Sequence, residues 1–172
     1  TLVYFLHQTG VLYYQPPYFS GQIILNQAWA IEAVYQVLDR EGDYFELLEH
    51  YQGKLDYTTL CKIWAKNTND ERNLFIDFML SSELCFETTS FEKYNASLQE
   101  RTFTIPQALP TTEPPTIATE QTRLQATEIA TRSYDFLPSV FIQRFIIRAH
   151  RFSEHQDMWQ HGIGLSYTKE DY

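Results

Sequence analysis

Cationic residues are scarce in this 172-residue chain: 13 Lys and Arg stand against 22 Asp and Glu, a formal net charge of −9. That sign is wrong for a surface whose main work is to neutralise phosphates, so nucleic acid is a poor first choice of partner. Long apolar runs are missing as well. No stretch approaches the roughly 20 residues that a membrane helix needs, and the opening TLVYFLHQTG lacks the basic segment and small-residue cleavage site of a secretory signal. The expectation is a soluble chain with no membrane span. Cysteine is limited to Cys61 and Cys85, each set in an apolar pattern (TTLCKIW and SELCFE) where a free thiol behaves as a small hydrophobe. A reducing, cytoplasmic setting follows, and the triplet Asn95-Ala96-Ser97 then carries little weight as a glycosylation site.

The chemistry of catalysis is also missing. A phosphate-binding loop needs glycines that let backbone N–H groups approach the phosphates, then a lysine and a hydroxyl in fixed order. Gly53-Lys54 is the one Gly-Lys pair, but Leu55 follows it and Leu48 stands where the first glycine belongs. There is no G-x-S-x-G elbow and no cysteine with a histidine signature. His150, His155 and His161 lie close in sequence at a spacing that fits no zinc template. No catalytic residue, cofactor or metal ligand is assigned.

What is present is apolar and aromatic. Hydrophobic residues make up 44% of the chain, with 12 Tyr, 12 Phe and 3 Trp, enough for a real core and for a partner surface besides. LVYFLHQ has the pattern of a helix ended by Gly10, cut off at its start. VLYYQ and QIIL, separated by Pro16, Pro17 and Gly21, suggest two short strands joined by a turn. Asn26 is a good N-cap for a helix whose face is Trp29, Ala33, Val34, Val37 and Leu38. FELLEHYQGKL leads to Gly53, after which Asp56 can cap a helix carrying Leu60, Ile63 and Trp64. Asp70 can cap another, with Leu74, Phe75, Phe78 and Met79 inward. LCFETT and RTFTIP then read as paired strands around the polar loop SFEKYNASLQE. Helices followed by a long-looped hairpin have the outline of a winged helix, which keeps a nucleic-acid-binding module as the alternative. Its recognition helix, Tyr57 to Lys66, has only Lys54, Lys62 and Lys66 about it against Asp56.

LPTTEPPTIAT, with three of the seven prolines, reads as a linker or extended edge. It divides the chain into residues 1–110 and 111–172. In the second part TRLQATEIATRSYDF suits a strand. Pro138 fits the N1 position of a helix with Val140, Phe141, Ile142, Phe145, Ile146 and Ile147 apolar and Arg144, Arg148 and Arg151 opposite. WQHGIGLSY closes as a strand. The three tryptophans are expected to anchor cores. The whole is α+β: a winged-helix-like helical subdomain with a small antiparallel sheet, then an antiparallel sheet packed with a helix.

Seven blocks in order carry a family pattern: FLHQTGVLYY (5–14), IILNQAWAIEAVYQVL (23–38), GKLDYTTLCKIW (53–64), FMLSSELCF (78–86), FTIPQALP (103–110), YDFLPSVFIQRFIIRAH (134–150) and MWQHGIGL (158–165). Together they resemble the COR region of Roco proteins, the segment that follows the Roc GTPase domain and that leucine-rich-repeat kinases share. Where the family often has Asp-Pro before the helix of Trp29, this chain has Asn26-Gln27, which keeps the cap and loses the rigid N1 position. The resemblance implies a COR-A subdomain over residues 1–110 and a COR-B subdomain over 111–172, with further strands expected beyond Trp159, so that COR-B is read as incomplete with an exposed sheet edge. It also implies a non-catalytic, regulatory role. COR-A would pack on a Roc domain of the same polypeptide and COR-B would support a homodimer, coupling nucleotide state to self-association in a parent GTPase, with or without a kinase. On that basis Glu71 and Phe75 are expected to face Roc. Phe141, Arg144 and Arg148 are expected at the self-association surface.

Overall fold

Short polar residues and one glycine decide where the helices of this chain begin and end. The computed structural model describes residues 2–88, 100–117, 133–153 and 157–165. Helix α1 (Leu2–Gln8) stops at Gly10, whose φ of 74° lets its N–H reach His7 O (3.0 Å) while the Val11 N–H reaches Leu6 O (2.9 Å). These are the paired bonds of a Schellman cap. Asn26 Oδ1 accepts the Trp29 N–H (3.3 Å) ahead of α2 (Gln27–Leu38), as the sequence predicts. A short α3 (Phe45–His50) leads to strand β1 (Lys54–Asp56), and Asp56 Oδ1 accepts the Thr59 N–H (2.7 Å) to start α4 (Tyr57–Ile63).

Helix α5 (Asn69–Ser81) begins on Thr68 rather than on the expected Asp70. Thr68 Oγ1 accepts the Glu71 N–H (3.3 Å) and Glu71 Oε2 accepts the Thr68 N–H (2.8 Å), so two orphan donors are satisfied reciprocally. Asp70 lies in the first turn, where its charge faces the positive end of the helix dipole.

The two strands expected before α2 shrink to one antiparallel bridge, Tyr13 with Ile24 (2.8 and 2.9 Å). Pro16 and Pro17 have no N–H to extend the ladder. Instead the chain turns through Phe19 (φ 70°), Ser20 (φ 47°) and Gly21 (φ 84°). Left-handed backbone at a non-glycine residue costs on the order of 1–3 kcal/mol. Burial of Phe19 (1% exposed) and its N–H bond to Asp77 Oδ2 (2.9 Å) offset that cost. The expected hairpin is present, β2 (Phe86–Glu87) antiparallel to β3 (Thr102–Thr104), and β1 joins it in the order β1-β3-β2. Leu55 lies opposite Phe103, and Arg101 clamps Glu87 through two 2.9 Å bonds. Residues 90–99 of the polar hairpin loop lie outside the described residues.

These elements make one compact unit, Thr1–Thr104; Ile105–Tyr172 make a second. At the centre of the first, Trp64 (1% exposed) stands edge-on to Phe75 at 5.2 Å and donates its indole N–H to Ala33 O (2.9 Å). Trp29 is only half-buried and also leans on Phe75, centroids 4.5 Å apart. Of the two tryptophans, Trp64 is the buried anchor.

In the second unit, α6 (Ser139–Ala149) starts one residue later than expected, with Pro138 as its extended N-cap. WQHGIGLSY, expected as one strand, turns back on itself: β4 (Met158–Trp159) pairs antiparallel with β5 (Gly162–Ile163). The reason is local. The Trp159 ring lies against Gly162 where a Cβ would be, with Cη2 2.7 Å from that position. Helix α6 packs on β5 and on the 3-10 turn Pro106–Ala108. The proline-rich stretch is largely exposed but tied down at two points: residues 115–117 are helical, Thr116 Oγ1 donates to Asp157 Oδ1 (2.8 Å), and the Gln160 N–H donates to Pro110 O (2.9 Å). The strand expected over TRLQATEIATRSYDF falls largely on residues 118–132, outside the described residues, and 133–137 form no regular element. The fold is α+β.

Truncating Phe75 to Ala opens a cavity beside two tryptophans and should cost about 3–5 kcal/mol. Removing the cap with Thr68→Ala should cost about 1 kcal/mol. Urea unfolding followed by tryptophan fluorescence measures both, and equal losses would contradict the central place given to Phe75.

Candidate functional site

The expected site residues fall in both units. On α5, Glu71 and Phe75 are one helical turn apart, yet the structure uses them differently. Glu71 closes the Thr68 capping box, and its carboxyl is held below the usual range chiefly by the Thr68 backbone N–H and then by the Thr68 hydroxyl. Phe75, expected at a partner surface, is 1% exposed and packed by Trp29 and Trp64. Its side chain fills the core, so α5 has no aromatic anchor for a partner at this position. The period of an amphipathic helix places Phe75 inward, and that is where the structure has it.

A groove of about 310 Å³ in the first unit is lined by Tyr51, Lys54, Leu55, Asp56, Thr59 and Thr102. Its carboxylate is already engaged, since the Asp56 pKa is lowered by hydrogen bonding to Thr59, which outweighs a partial burial. A carboxylate held charged by a helix cap is a poor proton donor or acceptor near neutrality. Among the described residues no group of three or more His, Cys, Asp and Glu is arranged to hold a metal ion. Of the cysteines, Cys85 is buried, and burial pushes its thiol up to about 12, whereas Cys61 is partly exposed. The Asp56 carboxylate and the Cys85 thiol are therefore not poised for catalysis near neutral pH.

The second unit presents a different surface. Ile146 is 0% exposed and Ala149 is buried, and with half-buried Ile142 they form the inner stripe of α6. Phe141 (61% exposed), Phe145 and Val140 lie outside that stripe, and Arg144 and Arg148 lie among them. The sequence expectation set all the apolar residues of this helix against its arginines. The structure mixes them, because six apolar residues within eight positions exceed what one stripe of about 100° can bury. Phe141, Arg144 and Arg148 therefore share one exposed face at i, i+3 and i+7. Val140 and Phe145 belong to it too, and the excess of apolar residues around the helix is the signal that could have named them. Phe136 and Leu137, just before the helix, are exposed as well. Among the described residues no helix is long and apolar enough to cross a membrane.

His150, at the end of α6, rests its Nδ1 on Ile147 O (2.6 Å). Burial lowers its pKa from the ordinary 6.5, the Arg151 charge adds to this, and the Ile147 contact opposes it. The unfolded chain therefore binds this proton more readily, so stability is present above about pH 6.5 and is lost as pH falls below it. Urea midpoints at about pH 7.5 and about pH 5.5 should differ in the wild type and differ less in His150→Gln. A thiol reagent at neutral pH should label Cys61 and leave Cys85 unmodified until the chain is unfolded. Mass spectrometry reads the sites, and fast native labelling of Cys85 would contradict its burial.

Two family models match the chain: C-terminal of Roc, COR-A domain, over residues 1–109, and C-terminal of Roc, COR-B domain, over residues 126–171. A Roc-COR-CHAT protease of Runella zeae is 24% identical over 143 residues, covering 83% of this chain and 13% of that protein. The chain thus spans a small part of the curated relative it matches. The solved structure of Methanosarcina barkeri Roco2 RocCORdC bound to GDP aligns at 23% identity with a TM-score of 0.42, covering 63% of this chain and 31% of that one. With a COR-A match over more than half its length and a COR-B match behind it, this chain belongs to the COR family of Roco proteins.

Proposed function

We propose that this chain is the non-catalytic regulatory and dimerisation module of a Roco GTPase, coupling the nucleotide state of a Roc domain in the same polypeptide to self-association. The observation that carries the reading is the family match, COR-A followed by COR-B. The relative from Runella zeae supports Roc as partner, since its name sets Roc beside COR. Residues 1–110 form the Roc-facing subdomain and residues 111–172 the self-associating one. The half-buried flank of α5 that begins at Glu71 contributes to Roc docking, with Phe75 supporting it from beneath. The face of α6 with Phe141, Arg144 and Arg148 contributes to the homodimer: aromatic and arginine side chains are enriched where protein interfaces bury surface. Any switching arises from unequal contact with the two nucleotide states of Roc. The parent is expected to be a cytoplasmic GTPase, and its effector domain, kinase or other, lies outside these residues.

The sheet order β1-β3-β2 with α4 ahead of the hairpin supports a winged-helix-like reading of the first unit. A nucleic-acid role is the weaker use of that architecture, because the net charge of −9 opposes a polyanion. Binding to duplex DNA at low salt would favour it; no binding removes it.

Binding of the chain to its Roc domain should differ between GDP and a GTP analogue, by calorimetry, and equal affinities would sink the coupling. Light scattering after size exclusion should show a dimer that Phe141→Asp weakens at least about tenfold in Kd, because a buried unpaired carboxylate costs over about 1.4 kcal/mol. A dimer unaffected by that change would place the contact elsewhere.

A further inference from the structure

Phe19, Ser20 and Gly21, three positive-φ residues in a row, lie where the chain crosses from α1 to α2. Two are not glycine and one is bulky, so the backbone holds a conformation it would leave if its contacts were released. Those contacts are specific. The Phe19 ring is buried edge-on to Tyr13, centroids 5.6 Å apart, and the Phe19 N–H donates to Asp77 Oδ2 (2.9 Å) on α5. The same segment carries α1, which buries no residue of its own. Two tyrosines that follow it support helix α1. The Tyr14 N–H donates to His7 Nδ1 (3.4 Å), the Tyr4 ring stands on Tyr14 (5.8 Å), and His7 stands on Tyr13 (5.2 Å). The Tyr13 hydroxyl in turn bonds Ser81 (3.1 Å) and Ser82 (3.3 Å) at the end of α5.

We propose that residues 15–21 form a strained strap with Asp77 as its catch: when the Asp77 contact opens, α1 is freed from the first unit while the core around Trp64 stays folded. The device combines a stressed backbone, one charge-assisted hydrogen bond and a helix with no core of its own. It stands or falls independently of Roc docking and dimerisation, since its readout needs no partner.

Hydrogen exchange on the intact chain tests it. Asp77→Ala should speed exchange over residues 2–22 by at least about tenfold, the factor expected for losing a hydrogen bond to a charged group. Amides of α4 and of the middle of α5 should keep their protection. Ser20→Gly, which adopts the same φ without strain, should slow exchange over residues 2–22. Uniform acceleration in Asp77→Ala, or none over residues 2–22, would overturn the strap. So would faster or unchanged exchange in Ser20→Gly, because the backbone would then store no strain.

Discussion

The contact between Trp64 and Phe75 organises the first unit. Trp64 closes α4, Phe75 lies in α5, and the indole N–H of Trp64 ends on the Ala33 carbonyl of α2. Three helices therefore meet at one aromatic pair with its single polar atom satisfied, as a buried indole requires. Trp29 adds a third ring from the rim. Because α4 runs directly out of β1, fixing Trp64 also fixes the edge of the small sheet, and β3 and β2 follow by pairing. Surface loops can vary around this arrangement without altering it, whereas a change at the pair would loosen all three helices together.

Much of this was legible in the residues. The caps at Asn26 and Asp56, the glycine end of α1 and the β2–β3 pairing all rest on local rules that the sequence states directly. What was not legible depended on tertiary contacts or on length. Strand β1 is three residues, too short for an alternation to register. The cap of α5 moved to Thr68 because a reciprocal pair with Glu71 satisfies more donors than Asp70 could alone. The segment before α2 looked like strand on composition, but its two prolines remove donors and Phe19 is drawn inward by burial. On the site, the sequence named α6 and misjudged how its residues divide, since periodicity shows an apolar excess without saying which members the core takes.

The two units differ in how they use aromatic residues. In the first, the large rings of Trp64, Phe75, Phe19 and Phe103 are withdrawn from solvent, while Tyr4, Phe5, Tyr35 and Tyr51 stay exposed at its rim. In the second, Phe136, Phe141, Phe145 and Phe152 are exposed on or beside one short helix. Apolar area left outside is costly in water and is retained where another surface covers it.

The hairpin at the end of the described chain carries one more consequence. The Trp159 ring occupies the space that a side chain at residue 162 would need, so the two positions are one choice made twice. Among diverging copies of this module, the face of α6 is free to drift with whatever covers it. Trp159 and Gly162 are expected to be kept or exchanged together, a covarying pair that marks the turn by shape rather than by role.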